Sequence, residues 1–248
     1  MCTVTSLILT LLIGMASGAE MEHRLSWDLS IQGTTIGKRD LTVKYVKGDI
    51  GMRRIIESWT EIDGDAGPIR VQYRQRMTAH AEGRDPAAFQ SVIDEGGARR
   101  EVQGRWSPSA WWVTVNADGR QRTLELPINR IDLSTADLMD PASRLPLSHF
   151  EEARILSAET GEVLTGGITQ LGTKELDVAG DSVLCNGYAW DSPQGRSEFF
   201  YSADGFLVRY TTQMLGIQME ANLSHPPPGG VDDFPVRFGF PEITETNL

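Results

Sequence analysis

The sequence predicts a mainly β protein built on a strongly curved antiparallel sheet, either a half-barrel or a partly closed barrel. Three observations predict it. Short stretches alternate between apolar and polar residues, turn dipeptides separate these stretches, and only one mid-chain segment has helical character. A meander with one helical insertion suits such a curved sheet with an apolar concave face.

The alternating stretches predict two-faced strands, because side chains on a strand point to opposite faces in turn. Leu25, Trp27, Leu29 and Ile31 alternate with serines and an aspartate. The same alternation recurs at Leu41, Val43 and Tyr45, and again at Ile69, Val71 and Tyr73. Each stretch should place one apolar face against a core.

Two Asp-Gly dipeptides predict hairpins. Asp118-Gly119 and Asp204-Gly205 each lie between strand-like runs, and both residue types tolerate the positive φ of a tight hairpin turn. Further turns are expected at 33–37, 64–67, 95–97 and 193–195, where glycine recurs.

The segment 134–153 interrupts the strands. Ser134 to Asp137 could cap a short helix over Leu138 and Met139 before Pro141 ends it. We expect one or two short helical turns here, between an N-terminal and a C-terminal run of strands that share one sheet system.

The first nineteen residues have the pattern of a secretory signal peptide. An apolar run from Val4 to Ile13 precedes small residues ending at Ala19, the expected cleavage position. Cys2 precedes the apolar run, so it is not the lipidated cysteine of a bacterial lipoprotein. We therefore expect a periplasmic or secreted protein, with no transmembrane segment after cleavage.

The mature chain is expected to be a single β domain over residues 20–223, followed by a tail over 224–248 that contains proline, glycine and phenylalanine. Pro226, Pro227 and Pro228 cannot continue a strand ladder. The tail could lie on its own domain or dock on a partner.

Charge and cysteine content limit the possible functions. The net charge of −11 disfavours nucleic acid as a partner, because phosphate binding needs a basic surface. After cleavage Cys185 is the remaining cysteine, so the fold depends on packing and not on an internal disulfide. Buried apolar packing is the favoured role of Cys185.

Residues that would indicate an enzyme or a metal site are not grouped. The four histidines are scattered, no familiar nucleophile or phosphate-binding motif is present, and nearby acidic pairs such as Glu57 and Glu61 suit a solvated face. The sequence favours a non-enzymatic protein without metal or cofactor.

Aromatic residues are the candidates for lining an apolar pocket. Ordinary core packing is the alternative for all of them, since aromatic side chains contribute heavily to β cores. The candidate ligand-binding residues are Trp27, Trp59, Tyr73, Trp106, Trp112, Trp190, Tyr201 and Tyr210.

The order of features from residue 134 onward resembles a family of bacterial exported proteins of unknown function related to the LolA, LolB and RseB half-barrels. The resemblance rests on 137–141, 155–163, Leu171-Gly172 and 200–205, with Trp27 and 33–37 resembling that family's first hairpin. It implies a curved sheet around an apolar groove, which in better understood relatives accepts acyl chains or a lipidated partner.

Three functions remain open from the sequence. The leading interpretation is non-enzymatic binding of a lipid-like ligand or a hydrophobic peptide in the concave sheet. The alternative is an envelope interaction module that uses the C-terminal tail or a sheet edge to contact a protein partner. An unrecognised hydrolase ranks lowest.

Overall fold

The first half of the chain forms eight long strands in succession. The computed structural model describes residues 21–47, 52–66, 69–82, 85–143, 146–214 and 216–227. The strands are β1 (Met21–Ile31), β2 (Thr34–Lys47), β3 (Met52–Ala66), β4 (Ile69–Glu82), β5 (Asp85–Glu95), β6 (Ala98–Trp106), β7 (Ala110–Ala117) and β8 (Arg120–Pro127).

The second half adds seven strands and contains the helical segments. The strands are β9 (Leu133–Ser134), β10 (Glu152–Leu156), β11 (Val163–Val178), β12 (Asp181–Ser192), β13 (Gly195–Ser202), β14 (Leu207–Met214) and β15 (Ile217–Leu223). Three short 3₁₀ helices span Ile128–Arg130, Pro141–Ser143 and Pro146–His149.

All fifteen described strands belong to one sheet, which confirms the mainly β prediction and the single sheet system. The order runs from β8 back to β1, continues to β15, and then runs back to β9. Every pairing is antiparallel except the short parallel one between β9 and β10. The two edges, β8 and β9, are therefore consecutive in the chain, and among the described strands no ladder joins them.

The sheet is strongly curved and unclosed, as predicted. Contacts between parts of the chain whose strands are far apart in this order demonstrate the curvature. Residues 157–162, which connect β10 to β11 and are called the closing loop below, pack against β6 and β7. A Cβ atom on Gly161 would lie 2.6 Å from Val115 Cγ2, so only glycine fits there.

The concave face carries the core, as the alternation predicted. Leu25, Trp27, Leu29 and Ile31 are all buried, and so are Leu41, Val43 and Tyr45. In β4 the pattern is less complete, because Val71 is buried while Ile69 is 46% exposed. Trp27 has no exposed surface, and its indole Nε1 donates to Leu207 O at 3.1 Å, which ties β1 to β14.

Both Asp-Gly hairpins are confirmed, but their turns differ. Asp118 and Gly119 both have positive φ, as a two-residue primed turn requires. At Asp204-Gly205 only the glycine does, and Ser202 N donates to Phe206 O around a longer loop. The first turn is Gln32-Gly33 and Gly37 lies within β2, so the turn expected over 33–37 was placed too broadly. Gly64 lies within β3, and residue 67 of the turn expected over 64–67 lies outside the described residues.

Residues 131–143 and 146–149, called the cover segment below, lie over the concave face. Two short helices in this segment confirm the predicted helical insertion, but the predicted cap is wrong. Asp137 Oδ2 accepts hydrogen bonds from Ser134 N and Ser134 Oγ, at 2.7 and 2.8 Å, around a turn that never becomes a helix. Pro141 begins a 3₁₀ helix instead of ending one, because proline suits a first helical turn.

The predicted signal peptide lies outside the described residues, as does the tail from Pro228 onward. Ser224 N donates to Ser26 O at 2.7 Å, so the chain still follows β1 just beyond β15. None of the helices in the described ranges has the length and apolar character that crossing a membrane requires.

Candidate ligand cavity

A cavity of about 500 Å³ lies between the concave sheet and the cover segment. This volume is within the usual range for small-molecule sites. Strands from both halves of the sheet, the cover segment and the closing loop all contribute to the walls. The main apolar wall residues are Ile62, Met77, Ile93, Leu138, Phe199 and Leu207.

A row of polar side chains crosses the floor of this cavity. Arg39 of β2 is paired in register with Thr60 of β3, and Thr60 with Gln75 of β4. The row continues through Ile93 of β5 to Arg100 of β6. Residues in register on one face of a sheet are direct neighbours, so the ladder itself places these groups side by side.

Arg39 is the centre of the row. Its Nε donates to Thr60 Oγ1 at 2.7 Å, and its Nη2 donates to Gln75 Oε1 at 3.2 Å. Its Nη1 donates to the Tyr210 hydroxyl at 2.9 Å and lies 3.5 Å from Met139 Sδ. The guanidinium thus joins β2, β3, β4, β14 and the cover segment, and these acceptors are all uncharged.

Glu159 supplies the opposite charge from the closing loop. Its Oε1 accepts from Gln75 Nε2 at 3.4 Å, and its Oε2 accepts from Ser157 Oγ at 2.9 Å. Arg100 Nη1 donates to the backbone carbonyl of Glu159 at 3.2 Å, which anchors the loop on β6. Gln75 Nε2 also donates to Ser91 Oγ, so this amide is held from two sides.

Burial and charge both act on the ionisable groups of the site. Burial alone would lower the pKa of the Arg39 guanidinium, but Tyr210, Glu159 and Tyr73 together hold that pKa above its usual value. Burial raises the pKa of Tyr210 and of Tyr73, and Glu159 adds to both shifts. Arg39 therefore stays charged, and the two phenols stay protonated at neutral pH.

Aromatic rings form the wall on the β13 and β14 side. Tyr210 and Phe199 are cross-strand partners with near-parallel rings 6.5 Å apart. Trp190 also lines the cavity and is 7% exposed. Gly166 makes room for its indole, because a Cβ there would lie 2.3 Å from Trp190 Nε1.

A buried ion pair connects the cover segment to β3. Arg54 Nε of β3 lies 3.1 Å from Asp140 Oδ2, and both side chains are at most 10% exposed. Asp140 Oδ1 also accepts from Ala142 N. Burial raises the pKa of Asp140, while the charge of Arg54 opposes that shift. Tyr201 Oη adds a hydrogen bond to Leu138 O at 3.0 Å.

Three of the eight aromatic residues selected from the sequence, Tyr73, Trp190 and Tyr210, line the cavity. The other five lie elsewhere. Trp27 and Tyr201 are enclosed in the core, Trp106 packs beside the core, and Trp59 and Trp112 are 37% and 47% exposed on the outer face.

The polar floor was missed by sequence reasoning, although a signal for it was present. Arg39 shares its strand face with Leu41 and Val43, and Gln75 lies between Tyr73 and Met77 on an inward face. A charged or amide side chain at an apolar position of an alternating strand indicates a buried polar site. Glu159 lies in a loop, where no such periodicity operates.

Other reactive groups lie away from the cavity. His23 packs edge-on against Tyr45 and Phe206 at 5.8 Å, and burial lowers its pKa. Cys185 is buried, and burial raises the pKa of its thiol to about 11. In the ranges that the structure describes, no three His, Cys, Asp or Glu side chains gather as they would around a metal ion.

Comparison with known proteins supports the fold. A crystal structure described as a beta-barrel-like protein of domain of unknown function DUF1849, from Brucella abortus, matches with a TM-score of 0.55 at 14% sequence identity. The match covers 84% of this chain and 98% of that one. No curated protein matches the chain. The profile of a family described as a domain of unknown function, DUF6134, matches residues 27–224, and the chain belongs to that family.

Proposed function

We propose that this chain is an exported, non-enzymatic binding protein that holds one lipid-like or hydrophobic ligand in its concave sheet. The observation that carries the proposal is the cavity of about 500 Å³ between sheet and cover segment. Small-molecule sites are concave and mostly apolar, with a few polar groups that orient the ligand. The apolar walls and polar floor have that composition.

The compartment is part of the proposal. The apolar run and small residues of 1–19 support export, and a periplasmic location gives such a protein access to envelope lipids. A relationship to the LolA, LolB and RseB half-barrels belongs to the same proposal, supported by the curved, unclosed sheet.

Quenching by a brominated acyl chain tests this proposal directly, because bromine quenches tryptophan only at contact. We expect 11-bromoundecanol to quench part of the fluorescence of the mature protein, with saturation at one molecule per chain. Trp190 lines the cavity, so Trp190→Phe should remove most of the quenched fraction.

Trp112→Phe is the matched control, because Trp112 lies exposed on the outer face. That variant should keep the saturable quenching. Quenching that survives in Trp190→Phe and disappears in Trp112→Phe would locate the alcohol on the outer surface and contradict the proposal.

An envelope interaction module is the second candidate, and the position of β8 at the edge of the described sheet favours it. Among the described strands β8 pairs only with β7, so its other edge is available to a partner strand. In vivo crosslinking through residues of β8 tests this candidate. A protein partner lost on Leu124→Pro, with acyl-chain quenching retained, would favour the interaction module.

A further inference from the structure

Two opposite charges face the cavity without forming an ion pair. Arg39 and Glu159 both line it, and Gln75 lies between them, accepting from Arg39 through Oε1 and donating to Glu159 through Nε2. Within the described residues, neither side chain has an ion-pair partner within 4.0 Å. The floor thus presents a separated positive and negative group.

Both groups keep hydrogen-bonding capacity. A guanidinium has five N–H donors, and the described part of the chain provides Arg39 with three oxygen acceptors and one weak thioether contact. A carboxylate has about four acceptor positions, of which Gln75 and Ser157 occupy two on Glu159. A ligand can therefore accept from Arg39 and donate to Glu159.

The remaining charges at the cavity are matched to each other. Glu95 and Arg100 also line it, and Arg100 Nη2 lies 3.7 Å from Glu95 Oε2. The described lining therefore contains two positive and two negative side chains. An anionic head beside Arg39 would be repelled by Glu159, and a cationic head beside Glu159 would be repelled by Arg39.

We infer that the ligand's polar head is a net-neutral carboxamide at the end of an apolar chain, with its carbonyl oxygen on Arg39 and its N–H on Glu159. This inference rests on the proposed function and names the ligand class for the same cavity. A purely apolar ligand would displace water from both charged groups without replacing its hydrogen bonds, which is costly in a buried site.

Four compounds with the same eight-carbon chain separate the alternatives by calorimetry on the mature protein: octanamide, octanoate, octylamine and octanol. Octanamide should bind about tenfold or more tightly than octanoate or octylamine, since a hydrogen bond to a charged group contributes that much. It should also bind more tightly than octanol, because the single hydroxyl oxygen of octanol would have to reach both Arg39 and Glu159. An amide presents its acceptor and its donor on separate atoms, as Gln75 does between the same two residues.

Two variants that each remove one charge should change which head groups the cavity accepts. Glu159→Gln removes the repulsion of anions, so octanoate should bind about tenfold more tightly than it binds the wild type. Arg39→Met should improve octylamine binding in the same way. Gains in affinity cannot arise from misfolding. Glu125→Gln and Arg99→Met are the matched exposed controls and should leave all four affinities unchanged.

The outcomes distinguish this inference from the proposed function. Equal binding of octanol and octanamide, or no gain for octanoate in Glu159→Gln, would overturn the carboxamide head while leaving an apolar binding cavity in place. Failure of all four compounds to bind, together with the absence of saturable quenching by 11-bromoundecanol, would overturn both.

Discussion

Arg39 Nη1 donates a 2.9 Å hydrogen bond to the hydroxyl of Tyr210, a residue 171 positions away in the chain. The two residues lie on β2 and β14, with β1 and β15 between them in the sheet. Only a curved sheet allows side chains on non-adjacent strands to meet above its concave face. This contact therefore joins the two halves of the sheet at the cavity.

Tyr210→Phe should lower the free energy of unfolding by about 2 kcal/mol, because a buried charged donor loses its acceptor. Urea unfolding measures the loss. The double variant Arg39→Met/Tyr210→Phe should lose less than the sum of the single changes, since the two residues share one interaction. Strict additivity would show that the bond contributes nothing to stability.

Arg54→Met should lower the free energy of unfolding by about 3 kcal/mol at neutral pH, because it leaves the Asp140 carboxylate buried without its partner. Loss of the Arg54 charge raises the Asp140 pKa further above its unfolded value. A carboxyl group whose pKa is higher in the folded protein than in the unfolded protein stabilises the fold at pH values below its unfolded pKa. This stabilisation is lost as the pH rises through its folded pKa.

The loss in free energy of unfolding caused by Arg54→Met should therefore become smaller as the pH falls from 7 towards about 4. Urea unfolding over that range measures it. Arg53→Met is the control, because the neighbouring Arg53 side chain is 52% exposed and should change stability little. A deficit that is constant with pH would mean that Asp140 does not titrate in this range.

Asp132→Asn should show the opposite pH dependence. Asp132 accepts from the Nε, Nη2 and backbone N of Arg154, and these bonds hold the pKa of Asp132 below its usual value. A carboxyl group whose pKa is lower in the folded protein than in the unfolded protein stabilises the fold at pH values above its unfolded pKa. This stabilisation is lost as the pH falls through its folded pKa. The variant should be less stable than the wild type at pH 6, and the difference should be smaller at about pH 3, below the usual pKa of an aspartate. Thermal unfolding at both pH values tests this, and a difference that is equally large in acid would contradict it.

Ala179→Gly should raise the free energy of unfolding by about 1 kcal/mol. Ala179 has a φ of 53°, and the left-handed conformation costs about that much for a residue with a Cβ. The turn joins β11 to β12 beside Gly180, so a second glycine relieves the strain. Ala98→Gly, at a strand start with ordinary φ, is the control and should not stabilise. A loss of stability in Ala179→Gly would show that strain at this turn is negligible.

Local sequence patterns predicted much of the fold, but not the order of its strands. Alternation around Trp27 and Leu41 identified the buried faces, because side-chain direction depends only on neighbouring positions. The pairing of Trp27 with Leu223 brings together residues nearly two hundred positions apart, and no local pattern encodes it. The turn at Ala179-Gly180 was also missed, since alanine is not expected at positive φ.

Less of the site could be predicted from the sequence, because aromatic character does not distinguish the cavity wall from the outer face of the sheet. Tyr73, Trp190 and Tyr210 do line the cavity, whereas Trp59 and Trp112 lie on the convex face, where an aromatic side chain is equally compatible with a strand. The distinguishing groups, Arg39 and Glu159, come from a strand and a loop 120 positions apart. Their proximity depends on the closing loop folding back onto β6.

Native mass spectrometry of the protein purified from the cells that make it, followed by organic extraction, tests the central claim most directly. We predict a reproducible adduct of one molecule per chain that extracts as an acyl-chain compound. Leu164→Trp, which fills the cavity, should lose the adduct, and Leu184→Trp, at a position 59% exposed, should retain it. A mass equal to the bare chain, unchanged after incubation with envelope lipids, would contradict the account.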